Sequence, residues 1–376
     1  MHQFFKSGLL VAGLAVVMTA CGKKEADTAA GPAAPEEKVL NVYNWSDYIA
    51  EDTIAAFESR TGIKVNYDVF DSNEVLETKL LAGRTGYDVV VPSASFLERQ
   101  IQAGVFMKLD SSKLPGLANM DPEIMERVAA HDPGNQHAIP YLWGTTGIGY
   151  NPEKVKAALG TDTIDSWAAI FDPENASKLQ SCGLTLLDAP GEIIDSALIY
   201  LGRDPNSESA EDLAAAEELL MKIRPFVRYL HSSQYINDLA NGEICVALGW
   251  SGDILQARDR GAEAATPVEV AYAIPKEGAI MWFDMLAIPA DAPHPNNAHA
   301  FIDYLMEPAV IAEISDYVAY ANGNLASFDL VDAEVTGDPS VYPTEEVKAK
   351  LYPHLAESQD YSRLSNRAWT RFRTGQ

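Results

Sequence analysis

Three tryptophans in this chain each stand two or three residues from an aspartate: Trp45 with Asp47, Trp250 with Asp253, and Trp282 with Asp284. An indole face attracts a cation, and a carboxylate pairs with the same cation. Each pair is therefore a small site for an organic cation. The first lies in Asn44-Trp45-Ser46-Asp47-Tyr48-Ile49, where a hydroxyl and a second ring join it. That hexapeptide alone fits a polar turn with two packing aromatics equally well. Other polar clusters occupy comparable places: Ser93 to Phe96, Asp188 to Glu192, and Tyr317 to Asn322.

Most of these clusters follow an expected strand. Val39 to Tyr43 predicts a first strand and Asp52 to Arg60 a helix, closed by Gly62. Ile63 to Tyr67 predicts a second strand. Asp71 and Glu74 are spaced as a capping box for a helix reaching about Ala82. Tyr87 to Val91 is a continuous apolar run, as in strands buried on both faces. Three βα units in succession predict a parallel sheet covered by helices, and ligands bind at the carboxyl ends of such strands. Ala138 to Tyr150 changes character. Its Gly144, Gly147 and Gly149 suit an extended crossing to a second lobe or a close backbone approach. A second α/β set runs from Gly183 to Arg260, with strands at Gly183 to Leu187, Val227 to Leu230 and Ile244 to Trp250. Val268 to Ile274 reads as the returning crossover. Ala279 to Ile288 is one more strand, carrying Trp282 and Asp284 within it.

A chain of 376 residues, 47% hydrophobic, holds enough core for about two domains. Its longest apolar run, Gly8 to Ala20, is too short for a membrane span and suits a signal-peptide core behind Lys6. The run ends Met18-Thr19-Ala20-Cys21, which looks like a lipoprotein signal in which Cys21 is lipidated. Met18 departs from the usual Leu, and ordinary cleavage near Ala20 is the alternative. Residues 21–38 are rich in Ala, Glu, Lys and Pro and read as a flexible tether. Two cysteines remain, Cys182 and Cys245, and an oxidising compartment would pair them; two buried thiols are the other reading. The formal charge is −26. Removing residues 1–20 removes Lys6 and no acid, leaving −27. Such a chain is a poor nucleic-acid binder, because phosphates are held by Lys and Arg. None of the seven histidines has metal-site spacing with a third ligand nearby, so no metal or cofactor is expected.

Leu40 to Asp110 resembles the bacterial periplasmic polyamine-binding proteins, especially the putrescine type. The segments that carry it are Tyr43 to Ile49, Tyr67 to Glu74 and Val91 to Glu98. The likeness continues through Gly144 to Asn151, His231 to Asp238, Gly249 to Asp253, Ile274 to Gly278 and Tyr320 to Asn322. It spans nearly the whole mature chain. It implies a two-lobe α/β periplasmic-binding-protein fold of type II, each lobe a sheet flanked by helices, with a hinge of crossing segments. The expected division is 39–143 and 267–322 for one lobe, 144–266 and 323–376 for the other. The resemblance implies an extracytoplasmic, lipid-anchored monomer that captures putrescine or spermidine and delivers it to the permease subunits of an ABC importer. Trp45, Ser46, Asp47 and Tyr48 would form one wall, with Ser93 beside them. Glu192 would meet one amine, Trp250 and Asp253 the chain and the other amine, Asp284 would be a further anion, and Tyr320 would close the box. Cys182 and Cys245 match the family's disulfide positions. Two positions depart from the putrescine type: Trp282 stands where Phe is expected, and Gly191 where an acid is expected beside Glu192.

The physics of the residues agrees. A polyamine is an apolar chain with ammonium ends, which rings and carboxylates match, and a buried unpaired ammonium is very costly. Asp47, Glu192, Asp253 and Asp284 supply four candidate anions. The rival class is a secreted enzyme using Asp and Glu as a glycosidase acid and base. No Gly-x-Ser-x-Gly, P-loop or Gly-x-Gly-x-x-Gly motif supports an enzyme. A binder or sensor for another organic cation is the remaining alternative.

Overall fold

The computed structural model describes residues 36–376, so the expected signal peptide and Cys21 lie outside the described residues. The tether expected to run to Lys38 is docked from Glu36 onward. The Glu36 carboxylate accepts from the backbone N–H groups of Asn296 and Asn297 at 3.0 Å each. These are free donors at the start of helix Pro295–Leu305, where a carboxylate is favoured by the helix dipole.

The first half follows the βα rhythm: β1 (Val39–Trp45), α1 (Thr53–Thr61), β2 (Lys64–Phe70), α2 (Asn73–Ala82), β3 (Val89–Val90) and α3 (Ala94–Gln102). Gly62 ends α1 at φ 70°, with its N–H on Glu58 O. The cap of α2 is Ser72 rather than Asp71. The Ser72 hydroxyl accepts from Val75 N–H and donates to Glu74 at 2.6 Å, because Ser72 holds the extended conformation a cap requires.

Then β4 (Ala138–Tyr150) runs for 13 residues, all buried. It is followed by β5 (Leu184–Leu186), β6 (Val227–Leu230), β7 (Val246–Trp250), β8 (Ala271–Ala273), β9 (Ala279–Ala287), β10 (Ala321–Asn322) and β11 (Leu351–Pro353). The sheet order is β2-β1-β3-β9-β4-β7-β5-β6, with β8 and β10 beside β4 and β11 beside β9. Strands β1, β2 and β3 are mutually parallel, as are β5, β6 and β7. The antiparallel strands β4 and β9 join these two parallel sets, giving two α/β lobes connected through crossing strands. The glycines of β4 serve close approach: a Cβ on Gly144 would stand 2.9 Å from Trp282 Cζ2.

Two details differ from the sequence reading. Strand β4 pairs with β9 through Thr146 and with β7 from Thr146 on, so the change of partner falls at Thr146. The return crossing is β9, which runs from Ile280 opposite Thr146 to Ala287 opposite Ala138. Val268 to Ile274 contributes only β8, which lies along Ile148–Tyr150. Both segments are apolar and extended, and pairing alone decides which one crosses.

Cys182 and Cys245 form a disulfide across 63 residues, just ahead of the paired strands β5 and β7. Replacing both with serine is expected to cost about 2–5 kcal/mol of stability, mainly by freeing the unfolded chain. Denaturant titration reads this directly, and a loss below ~0.5 kcal/mol would sink it. Helix Gln359–Thr374 buries Tyr361, Trp369 and Phe372 and leaves Arg363, Arg367 and Arg371 exposed, the solvated face expected of that spacing.

Candidate functional site

The carboxyl ends of β1, β2, β3 and β7 meet the middle of β9. Ten of the eleven expected site residues line one cavity there: Trp45, Ser46, Tyr48, Ser93, Glu192, Trp250, Asp253, Trp282, Asp284 and Tyr320.

Trp45 ends β1, and its indole N–H donates to Val91 O at 2.9 Å. Buried Asn44 accepts from Trp45 N–H at 2.8 Å and donates to Tyr48 O at 3.4 Å, which folds the next turn back on the strand. Asp47 takes φ 54° in that turn and points away from the cavity. Its carboxylate pairs with Arg260 at 2.7 Å, and both side chains are more than a third exposed. The expectation that Asp47 supplies a cavity anion is therefore corrected. The left-handed turn redirects its side chain to the opposing helix, Ser251–Glu263.

Of the other three carboxylates, Asp253 and Asp284 are buried and Glu192 is half-buried. Asp253 accepts from Tyr235 Oη at 2.7 Å and Tyr320 Oη at 2.8 Å. Gly252 makes this possible, since a Cβ there would lie 2.4 Å from the Tyr320 ring. Asp284 accepts from Ser93 Oγ at 2.6 Å and Tyr48 Oη at 2.8 Å. Glu192, in the first turn of helix Pro190–Tyr200, accepts from Trp250 Nε1 at 2.9 Å and from the Thr146 hydroxyl. Among the described residues, no Lys, Arg or His forms an ion pair with any of the three.

Burial is the largest influence on each. It pushes Asp253 up to about 7 against the Tyr235 and Tyr320 hydroxyls, and Asp284 up to about 7 against Ser93 and Tyr48. Burial also raises Glu192, opposed by the Thr146 hydroxyl, His354 and Trp250.

Rings close the walls. Trp45 and Trp250 meet edge-on at 5.5 Å, Tyr48 and Tyr320 at 5.2 Å, and Trp282 and Tyr320 at 5.4 Å. The cavity thus joins aromatic faces to three carboxyl groups that stand outside any ion pair among the described residues. Such a lining suits an elongated cation with an apolar middle and charged ends.

Sequence reasoning did not assign Phe70, Asp71, Ser232, Ser233 or Ile236 to the lining. Ser232 and Ser233 follow β6 closely, so the rule that polar groups gather at strand ends would have found them, and Phe70 stands at the end of β2 as Trp45 does at the end of β1. Tyr235 and Thr146 left no such signal, because hydroxyls that hold carboxylates are visible only in space.

Comparison with known proteins gives a consistent result. The family profile described as bacterial extracellular solute-binding protein matches residues 52–344. The putrescine-binding periplasmic protein PotF of Escherichia coli strain K12 is 57% identical over 347 residues, 92% of this chain and 94% of that protein. The putrescine-binding periplasmic protein SpuD of Pseudomonas aeruginosa strain UCBPP-PA14 is 56% identical over 352 residues, covering 93% and 96%. Among solved structures, a putative spermidine/putrescine ABC transporter protein from Listeria monocytogenes superimposes with a TM-score of 0.81 at 31% identity, covering 90% of this chain and all of that one.

Proposed function

This chain belongs to the bacterial extracellular solute-binding proteins, and we propose that it captures a polyamine, putrescine or spermidine, between its lobes for delivery to an ABC importer. The observation that carries this reading is an aromatic-walled cavity in which buried Asp253 and Asp284 and half-buried Glu192 form no ion pair with a Lys, Arg or His among the described residues. A dication or trication supplies the missing charge. Glu192 receives one ammonium, Asp253 and Asp284 the other end, and Trp45, Trp250, Trp282, Tyr48 and Tyr320 cover the methylenes between them. Ser46 and Ser93 contribute polar wall. Asp47 acts outside the cavity, through its pair with Arg260 across the mouth.

The lobes proposed to close on the ligand change over near Thr146, where β4 changes partner, and again along β9. The protein works outside the cytoplasm, tethered through Cys21 as a monomer, and its partners are permease subunits. No helix among the described residues is long and apolar enough to cross a membrane. The relatives favour the binding reading over a glycosidase.

Calorimetric titration with putrescine, cadaverine, spermidine and spermine tests the reading. Affinity at the micromolar level, about −8 kcal/mol, is expected for at least one of them. Heats indistinguishable from dilution for all four would overturn it.

Trp282 sets ligand length. An indole covers more of an alkyl chain than a phenyl ring does, so Trp282→Phe is expected to weaken spermidine about 3–10-fold relative to putrescine. The indole N–H has no acceptor among the described residues, so the substitution strands no hydrogen bond. An unchanged spermidine-to-putrescine ratio discards the idea.

A further inference from the structure

Beside Glu192, the C-terminal part of the chain brings in a histidine. His354 directly follows β11, and its Nδ1 lies 2.8 Å from Asp195, one turn beyond Glu192 on the same helix. The two side chains are 13% and 9% exposed. The ring lies against Gly191: a Cβ there would stand 3.0 Å from Cε1 and 3.3 Å from Nε2. The lack of a side chain at Gly191 is what gives the imidazole its room. His354, Glu192 and Glu357 line a second cavity that adjoins the first at Trp45, Trp250 and Trp282.

We propose that His354 is a positioning residue for the amine site: paired with Asp195, it stands as an imidazolium on the Glu192 side of the cavity and favours the ionised form of that carboxylate while the cavity is empty. The inference rests on the polyamine reading. It separates Glu192 from the other two anions. Asp253 and Asp284 are held by hydroxyl groups, and burial carries both up to about 7. Glu192 has the His354 ring nearby as well as two donors, and all three oppose the rise that burial causes.

The groups facing the imidazole support a charged ring. Asp195 and Glu192 come from helix Pro190–Tyr200 and Glu357 from its own segment, while His131, from beyond helix Pro122–Val128, faces it as a like charge. Burial by itself lowers the imidazole, but the Asp195 hydrogen bond and charge, with Glu192 and Glu357, outweigh it and push the ring up to about 9. Asp195 and Asp284 face Glu192 as like charges, and His354 is the cation that opposes them.

The test is calorimetry of putrescine binding at pH 6 and pH 8, in buffers of differing ionisation enthalpy, on the full chain and its His354→Gln, His354→Lys and Asp195→Asn variants. Removing the cation raises Glu192, so at pH 6 the ligand must expel an additional proton. His354→Gln is expected to release about half to one proton more than wild type at pH 6, and its affinity falls about 3–10-fold more between pH 8 and pH 6. Asp195→Asn, which leaves the ring but removes its counter-charge, shifts the same way, and His354→Lys restores the wild-type profile. Equal affinity losses at both pH values with an unchanged proton count in His354→Gln and Asp195→Asn would reduce His354 to packing and overturn the inference. A wild type that binds no polyamine overturns the functional reading instead.

Discussion

Asp253→Asn and Glu192→Gln each abolish polyamine binding and leave the fold intact. In the closed cavity an ammonium that loses its carboxylate has no water to turn to. Removing one partner of a buried ion pair costs about 3–5 kcal/mol, which is about 150–5,000-fold in affinity. Asparagine and glutamine keep the volume, so packing around Tyr235, Tyr320 and Trp250 survives. The empty Asp253→Asn protein is expected to unfold at the same or a higher temperature than wild type, because a buried carboxyl without a cationic partner is replaced by a neutral group. The stabilisation that putrescine gives wild type disappears in both variants. Calorimetry measures the affinity, and near-ultraviolet circular dichroism checks the fold. A loss below tenfold in both variants would remove these residues from the site.

The second large effect is on pH. In the empty site Asp253 and Asp284 are pushed up to about 7, whereas a bound ammonium requires them ionised. Below pH 7 the ligand must displace protons, and each coupled carboxyl weakens binding by up to about tenfold per pH unit. Putrescine affinity is therefore expected to be level near pH 8 and to fall on the order of 100-fold or more by pH 5. The empty protein behaves in the opposite sense. Its raised carboxyls hold protons that the unfolded chain has released between about pH 4 and 7, so its stability declines as pH rises through that window. Thermal unfolding with and without ligand across pH 5–8 shows both trends. A dissociation constant unchanged from pH 8 to pH 5 would mean that the empty site already holds ionised carboxylates.

The sequence carried the α/β rhythm, the glycine-bearing crossing strand and most of the lining, because each has a local signature. Trp282 and Asp284 are two apart inside β9, so they share a face, and both reach the cavity. Trp45 and Asp47 have the same spacing but not the same fate. Asp47 lies past the end of β1 with φ 54°, where alternation no longer applies. Position in the chain alone could not separate these cases. The hydroxyls that hold the carboxylates were equally hidden, since Tyr48 reaches Asp284 across 236 residues. The choice of β9 over Val268 to Ile274 as the return crossing depends on register, which non-local pairing sets.

That 236-residue closure has a consequence for how the protein is made. Strands β5, β6 and β7 come from one continuous stretch, so they can pair as soon as they are synthesised. Strand β3, by contrast, is the first to emerge that must wait for β9 to cover its outer edge. At ribosomal speeds the interval between Tyr48 and Asp284 is on the order of 10–50 s, during which that edge is open to wrong partners. The lobe that starts the chain is thus among the last parts to be finished. The cavity, which needs residues from both sides of the interval, arrives only with it, and a half-made chain is blind to its ligand.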